Sequence, residues 1–327
     1  MNSIEMCITS RCNLDCRHCY QKHDKNQFLL PYEKIIEAIN YGISHNVSHL
    51  IISGGEACLH PNYYDIIDFV ILKTNLNLTL VTNGTIINTE FFKKPNFLKR
   101  INFVISIDGT KPNHEQRRGV GTYDKTLNTI KTLQDFGFNV KINVTLDENN
   151  FLDFPEILKN DDFKHITFLP VGFSGAAQEN NMTSLNKDYE DLIKMIYEET
   201  EEASNYCRDC QLFPESLSLN YNGDIFPCSL ARDFNLLKMG NIIGENIKTV
   251  IQNFIESEEG KNLLNTNLKD LPTCSACTHC EKCSKGCRIR ALKYYHSLTA
   301  PDPFACKLHT NKFKTISFNK IYWGENA

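Results

Sequence analysis

No cysteine occurs between residues 59 and 206, although the 327-residue sequence holds fourteen. A long apolar run is missing as well. The most apolar stretch, Ile66 to Leu72, is broken by Asp68 and is far too short to cross a bilayer. The start, Met1-Asn2-Ser3-Ile4-Glu5, has neither the basic nor the apolar region of a secretory signal. Nor does one sign of charge dominate: a formal net charge of −4 gives no electrostatic reason to bind nucleic acid or an anionic membrane. These absences lead us to expect a cytoplasmic protein without nucleic-acid or membrane partners. Thiols stay reduced there, so the cysteines read as metal ligands and not as disulfides. Composition is that of an ordinary globular chain, 41% hydrophobic and 23% charged. Its length suggests about two domains.

Residues 1–205 alternate β-branched runs with helical patterns. Strands are expected at Ile4–Thr9, His49–Ser53, Leu76–Val81, Ile101–Ile107, Val140–Leu146 and Ile166–Val171. Helices are expected near Pro31–His45, Tyr63–Lys73, Glu90–Leu98, Tyr123–Phe136 and Phe154–Lys159. A linking helix follows from Leu185 to Tyr197, with Ser184 as its cap. Strands so separated imply parallel βαβ units. The fold class is α/β, a partial (β/α)6 version of the eightfold barrel. The unusual sequences fall at the carboxyl ends of these strands, where barrel enzymes place their sites. They are the Cys12–Cys19 loop, Gly54-Gly55-Glu56, Thr82-Asn83-Gly84, Asp108-Gly109 and Pro170-Val171-Gly172.

Arg11-Cys12-Asn13-Leu14-Asp15-Cys16-Arg17-His18-Cys19-Tyr20 is a C-x3-C-x2-C loop. Three thiolates on one loop can hold an iron–sulfur cube and leave one of its irons without a protein ligand. The spacing, with an aromatic residue after the last cysteine, resembles the radical S-adenosylmethionine (SAM) enzymes. That resemblance implies that the open iron chelates SAM, whose reductive cleavage releases a 5′-deoxyadenosyl radical that takes hydrogen from carbon. It further implies that Gly54, Gly55 and Glu56 bind the SAM amino group, although Ala57 stands where the family commonly has proline. Asn83, Ser106 and Asn143 become candidate SAM or substrate contacts. Tyr20 becomes a stacking partner for adenine, and Arg117 and Arg118 a clamp for the SAM carboxylate. Asp108 and Arg118 are the candidate catalytic residues. Each has a plainer alternative: diglycine and Asn-Gly are common turn pairs, and Ser106, Asp108 and Asn143 suit strand ends. Cys7 and Cys58 read as core or loop thiols.

The carboxyl-terminal cysteines have their own order. Cys210 is followed by twelve residues, Gly223, four more and Cys228; Cys274-x2-Cys277-x5-Cys283-x3-Cys287 and Cys306 come later. This resembles the SPASM domain, which adds two auxiliary [4Fe–4S] clusters to some radical SAM enzymes. It implies a first auxiliary cluster on Cys210, Cys228 and Cys287, with Cys207 as fourth ligand. Cys274, Cys277, Cys283 and Cys306 would hold the second. Cys277-x2-Cys280-x2-Cys283-x3-Cys287 is also a ferredoxin run, so Cys280 in place of Cys274 stays open. A pair of zinc sites is the plainer reading. The domains are therefore expected as 1–205 barrel, 206–310 SPASM and 311–327 tail. Lys285, Arg288, Arg290 and Lys293 read as a solvated helix face, or as a docking strip for an acidic partner.

The resemblance points to a peptide or protein substrate and to a thioether or carbon–carbon crosslink. It also implies a flavodoxin- or ferredoxin-type electron donor. Sulfatase maturases of this architecture usually carry aspartate after the Gly-x4-Cys segment, whereas Ser229 follows Cys228 here. That departure weighs against formylglycine formation. With Cys12 in the first loop, an amino-terminal leader-binding domain has no room, so leader recognition would need a separate protein or the barrel. Oxidation of a small molecule by a radical SAM dehydrogenase, and a non-enzymatic iron–sulfur or zinc-binding electron carrier, are the alternatives.

Overall fold

The computed structural model describes residues 1–19, 27–147, 149–171, 175–182, 210, 212–266, 271–278, 285–303 and 305–306. Six parallel strands are laid down in order: β1 (Ser3–Cys7), β2 (His49–Ser53), β3 (Asn77–Thr82), β4 (Ile101–Ser106), β5 (Asn139–Leu146) and β6 (His165–Pro170). Between them run helices α1 (Tyr32–Ser44), α2 (Tyr63–Lys73), α3 (Lys111–Arg118), α4 (Thr122–Asp135) and α5 (Phe154–Lys159). Beyond the expected boundary near residue 205 the same sheet continues. β7 (Ser216–Leu219) pairs in parallel with β1, and β8 (Asp224–Phe226) and β9 (Gly240–Asn241) follow antiparallel, giving the order β6-β5-β4-β3-β2-β1-β7-β8-β9.

Alternation along each strand divides the sheet into two unlike faces. Ile4, Met6, Leu50, Ile52, Leu78, Leu80, Phe103, Ile105, Ile142 and Val144 pack with Ile35, Ile39, Ile66, Val70, Ile130 and Leu133 of the helices in one buried core. The opposite face carries Glu5, Ser53, Thr79, Ser106, Lys141, Asn143, Thr145, Thr167 and Ser218, with Ile51 and Val104 among them. A closed barrel fills its interior with branched apolar side chains. The polar face of this open sheet is instead suited to a ligand.

Two expectations need correction. The helix expected over Glu90–Leu98 is a 3-10 turn, Thr89–Lys93. Pro95 excludes the helical region for Lys94, which is extended at φ −69°, ψ 130°. Helix α3 was not anticipated. Pro112 in its first turn and Gly119 just past its end are the signals that mark it. The linking helix expected from Ser184 lies outside the described residues.

Candidate active site

The loop after β1 is held by the loop after β2. Gly55 N–H donates to Thr9 O at 2.8 Å and Glu56 N–H to Arg11 O at 2.7 Å. A Cβ at Gly55 would lie 2.5 Å from Arg11 O and 2.7 Å from Ser10 O; one at Gly54 would lie 3.0 Å from Thr9 O. At Gly55 only glycine permits this approach, while Gly54 is merely tight. The diglycine therefore has a packing role that the sequence did not disclose.

Glu56 turns its carboxylate inward, 1% exposed. Oε1 accepts from Thr82 Oγ1 at 2.8 Å and Oε2 from Asn83 N at 2.8 Å. Burial raises its pKa, and those hydrogen bonds, with two from the side chain and backbone of Cys58, oppose the rise. Asn83 Oδ1 accepts from Thr85 N and Oγ1, while its Nδ2 donates to Asn13 Oδ1 at 3.0 Å. Asn13 lies between Cys12 and Cys16. Glu56 and Asn83 thus tie the loops after β2 and β3 to the cysteine loop. Ser106, Asn143 and Thr167 share one register row across β4, β5 and β6, which brings two of the expected contact residues side by side.

The cysteine loop also rests on a buried charge network. Asp108 Oδ2 accepts from Arg118 Nε at 2.5 Å, and Oδ1 from Thr145 N at 3.0 Å. His18 Nε2 lies 3.2 Å from Arg118 Nη2 and 3.4 Å from Asp108 Oδ2. Burial alone would raise the Asp108 pKa, but Arg118, His18 and Arg117 hold it well below the carboxylate range. Burial, with Arg118 close by, pushes His18 down to about 3 and His114 down to about 4. His114 Nδ1 accepts the Asp108 N–H at 3.2 Å. Arg117 O receives the Arg17 N–H at 3.0 Å, fastening the end of α3 to the loop. The two residues expected to be catalytic are therefore partners of each other.

Burial raises the Cys12 thiol to about 11 and raises Cys16 as well, against the pull of Arg118. The Leu14 N–H points at Cys12 Sγ, 3.4 Å away. Ser10 Oγ, Arg11 Nε and His18 Nδ1 are buried without a hydrogen-bond partner among the described residues. Soft sulfur donors, an N–H aimed at sulfur, a neighbouring cation and orphaned polar atoms together fit an anionic iron–sulfur cluster with a polar co-ligand. Tyr20 lies outside the described residues.

At the other end, Cys210, Cys228 and Cys287 interact electrostatically and pack on Leu212, Phe226, Ala231, Leu237 and Ile289. Cys274, Cys277 and Cys306 form a second group. Cys207, Cys280 and Cys283 lie outside the described residues. Among the described residues, no three His, Cys, Asp or Glu side chains gather as a single metal ion requires.

The solvated-face reading of the basic stretch fails at two positions, both near helix α6 (Arg288–Tyr295). Arg288 is 1% exposed and donates to the carbonyls of Lys285, Leu298 and Ala300. Arg290 pairs with Asp302 at 2.9 Å. Two of the four cations are thus committed inside the domain.

A family model of the Radical SAM superfamily matches residues 6–160, and one of the SPASM iron–sulfur cluster-binding domain matches residues 210–281. The antilisterial bacteriocin subtilosin biosynthesis protein AlbA of Bacillus subtilis is 26% identical over 266 residues, 74% of this chain and 58% of AlbA. The chain thus spans well under two thirds of that relative. GTP 3′,8-cyclase of Alkaliphilus metalliredigens is 26% identical over 312 residues, covering 83% of this chain and 94% of the cyclase. The solved structure of native anSMEcpe with bound AdoMet and Kp18Cys peptide superposes with a TM-score of 0.70 at 19% identity. It covers 94% of this chain and 96% of that one, a likeness of fold. Among the described residues no helix is long and apolar enough to cross a membrane. With the cysteine loop inside the first match and Cys210, Cys228, Cys274 and Cys277 inside the second, the chain belongs to the radical SAM superfamily and carries a SPASM domain.

Proposed function

We propose that this chain is a peptide maturase that takes hydrogen from a residue of a ribosomally made peptide and closes an oxidative thioether or carbon–carbon crosslink. SAM and [4Fe–4S] clusters, typical of radical SAM enzymes with a SPASM domain, supply the 5′-deoxyadenosyl radical and the electron transfers. The observation that carries the reading is the cysteine loop set at the carboxyl rim of an open sheet whose free face is polar. In this reading Cys12, Cys16 and Cys19 hold the SAM-binding cluster. Gly54, Gly55, Glu56, Asn83, Ser106 and Asn143 line SAM, and Tyr20 stacks on its adenine. Cys207, Cys210, Cys228 and Cys287 hold one auxiliary cluster. Cys274, Cys277, Cys283 and Cys306 hold the other, and these clusters take the electron that closure releases.

The AlbA likeness supports a peptide substrate, because that relative is named for bacteriocin biosynthesis, and so does the fold shared with a peptide-bound structure. Ser229 after Cys228 argues against formylglycine formation. A flavodoxin- or ferredoxin-type donor, a separate leader-binding protein and a cytoplasmic setting complete the proposal. A second reading, chemistry on a small molecule, is favoured by the nearly full-length likeness to the GTP cyclase.

Anaerobic reconstitution tests the first half: about twelve irons per chain, for three cubes, and dithionite-dependent 5′-deoxyadenosine are expected. Co-expression with any short peptide found encoded beside the gene tests the second, by mass spectrometry. Loss of a hydrogen pair from the peptide supports the maturase. An unmodified peptide, together with turnover of a nucleotide or sugar, would replace it with the second reading.

A further inference from the structure

His18 stands between Cys16 and Cys19, is 9% exposed, and has one ring nitrogen engaged. Its Nε2 faces Arg118 Nη2 at 3.2 Å and Asp108 Oδ2 at 3.4 Å. A guanidinium can only donate. In the neutral ring Nε2 therefore accepts from Arg118, and the ring proton sits on Nδ1. In the protonated ring both nitrogens carry hydrogen, so Nδ1 is a donor again. The remaining tautomer would set an N–H against the Arg118 N–H. Asp108 Oδ2 fixes Arg118 in this position through Nε, and Oδ1 is itself fixed by the Thr145 N–H. Nδ1 is buried and has no hydrogen-bond partner among the described residues. A buried donor without an acceptor is costly and calls for an explanation.

We propose that His18 Nδ1–H donates a hydrogen bond to the anionic cofactor held by the cysteine loop, with Arg118 and Asp108 acting as positioning residues that fix its tautomer. The proposal rests on reading that loop as the SAM-binding cluster site. Two acceptors share the required chemistry: a sulfur of the cluster, and the carboxylate of SAM. Arg118 thereby acts on the cofactor through His18 and not as the carboxylate clamp that its place before Gly119 suggested.

Two substitutions of the reconstituted full-length protein separate the ring nitrogens. His18→Asn keeps an amide N–H near the position of Nδ1. His18→Gln keeps a polar group only where Nε2 lies. The potential of the cluster whose EPR signal SAM perturbs is measured without SAM, and SAM affinity is measured separately. If cluster sulfur is the acceptor, the potential falls in the Gln variant and is retained in the Asn variant, since hydrogen bonds to sulfur tune cluster potentials. If the SAM carboxylate is the acceptor, the potential holds and the SAM Kd rises roughly tenfold in the Gln variant only. Equal behaviour of both variants, unchanged or equally shifted, overturns the proposal and leaves His18 a packing residue. Should the Gln variant fail to take up iron, wild-type protein carrying 15N-histidine decides. A histidine nitrogen coupled to the reduced cluster, with or without SAM, supports the bond, and no coupling in either state overturns it. A wild-type preparation that binds no iron would remove the cluster reading itself, and the proposal with it.

Discussion

Arg118 Nε meets Asp108 Oδ2 at 2.5 Å with the Asp108 side chain fully buried and Arg118 9% exposed. Removing one charge of such a pair leaves the other without compensation in a poorly solvated place. Asp108→Asn, which preserves shape, should therefore destabilise the protein by about 3–5 kcal/mol. The double variant Asp108→Asn/Arg118→Gln should lose less than the sum of the two single changes. Denaturant unfolding under argon measures both. Additive losses would show that the pair contributes nothing as a pair.

His114 gives an acid-side signature. Burial first, and Arg118 next, lower its pKa from 6.5 to about 4, so the unfolded chain binds the proton that the folded chain refuses. Unfolding is then favoured as pH falls below the unfolded value, and stability drops by about 2 kcal/mol between pH 7 and pH 5 from this group alone. His114→Asn keeps an acceptor for the Asp108 N–H without a titrating ring. Its stability curve should be flatter by that amount over the same window. Parallel curves for variant and wild type would assign the acid sensitivity to other groups.

Much of the barrel could be read from residue types, because local patterning specifies it. The helices at Tyr63–Lys73 and Phe154–Lys159 end where their periodicity ends. What escaped depends on partners distant in sequence. β7 is a four-residue Ser-Leu-Ser-Leu strand whose order comes from pairing with β1 more than 200 residues earlier. Asp108 looked like a strand-end residue because Arg118 and His18 meet it only in the folded chain. Arg288 looked solvated because its partners are backbone carbonyls, which no side-chain pattern reveals. At the candidate site, the cysteine spacing was legible. The packing role of Gly55 was not, because it depends on the path of a second loop.

That path makes Gly55 the more sensitive of the two glycines. A methyl group there meets backbone oxygen at 2.5 Å, and backbone cannot rotate away as a side chain can. Gly55→Ala should displace the cysteine loop and remove about four irons per chain, one cube, with no deoxyadenosine formed. Gly54→Ala, at 3.0 Å from Thr9 O, should keep most of both. Iron analysis and chromatography of the nucleoside read the outcome. Full iron in the Gly55 variant would mean that the loop adapts at little cost.

The cysteine groups should separate by function. Replacing Cys12, Cys16 and Cys19 with alanine should abolish deoxyadenosine formation. Cys210→Ala or Cys283→Ala should spare it and stop peptide modification. Deoxyadenosine made by the triple variant would contradict the assignment of the main cluster. Loss of both activities in the Cys210 variant would indicate unfolding, which circular dichroism would reveal.

Asp302 offers a finer test of the rear cysteines, since it touches a ligand candidate through the backbone. Its side chain is fully buried, and Oδ2 accepts the Cys287 N–H at 2.7 Å and Arg290 Nη2 at 2.9 Å. The same oxygen lies 2.5 Å from where a Cβ on Gly286 would stand, so the turn before Cys287 is built around this carboxylate. Asp302→Ala takes the carboxylate acceptor from the part-buried Cys287 N–H and one charged partner from Arg290, a loss of about 1–3 kcal/mol. The turn should then no longer present Cys287 beside Cys210 and Cys228. Iron should fall toward two cubes per chain while deoxyadenosine formation persists and crosslinking stops. Asp302→Asn keeps an acceptor for the Cys287 N–H and should retain more iron. If both variants hold the wild-type iron content, the turn is maintained by Arg288 and its carbonyl partners without help from Asp302.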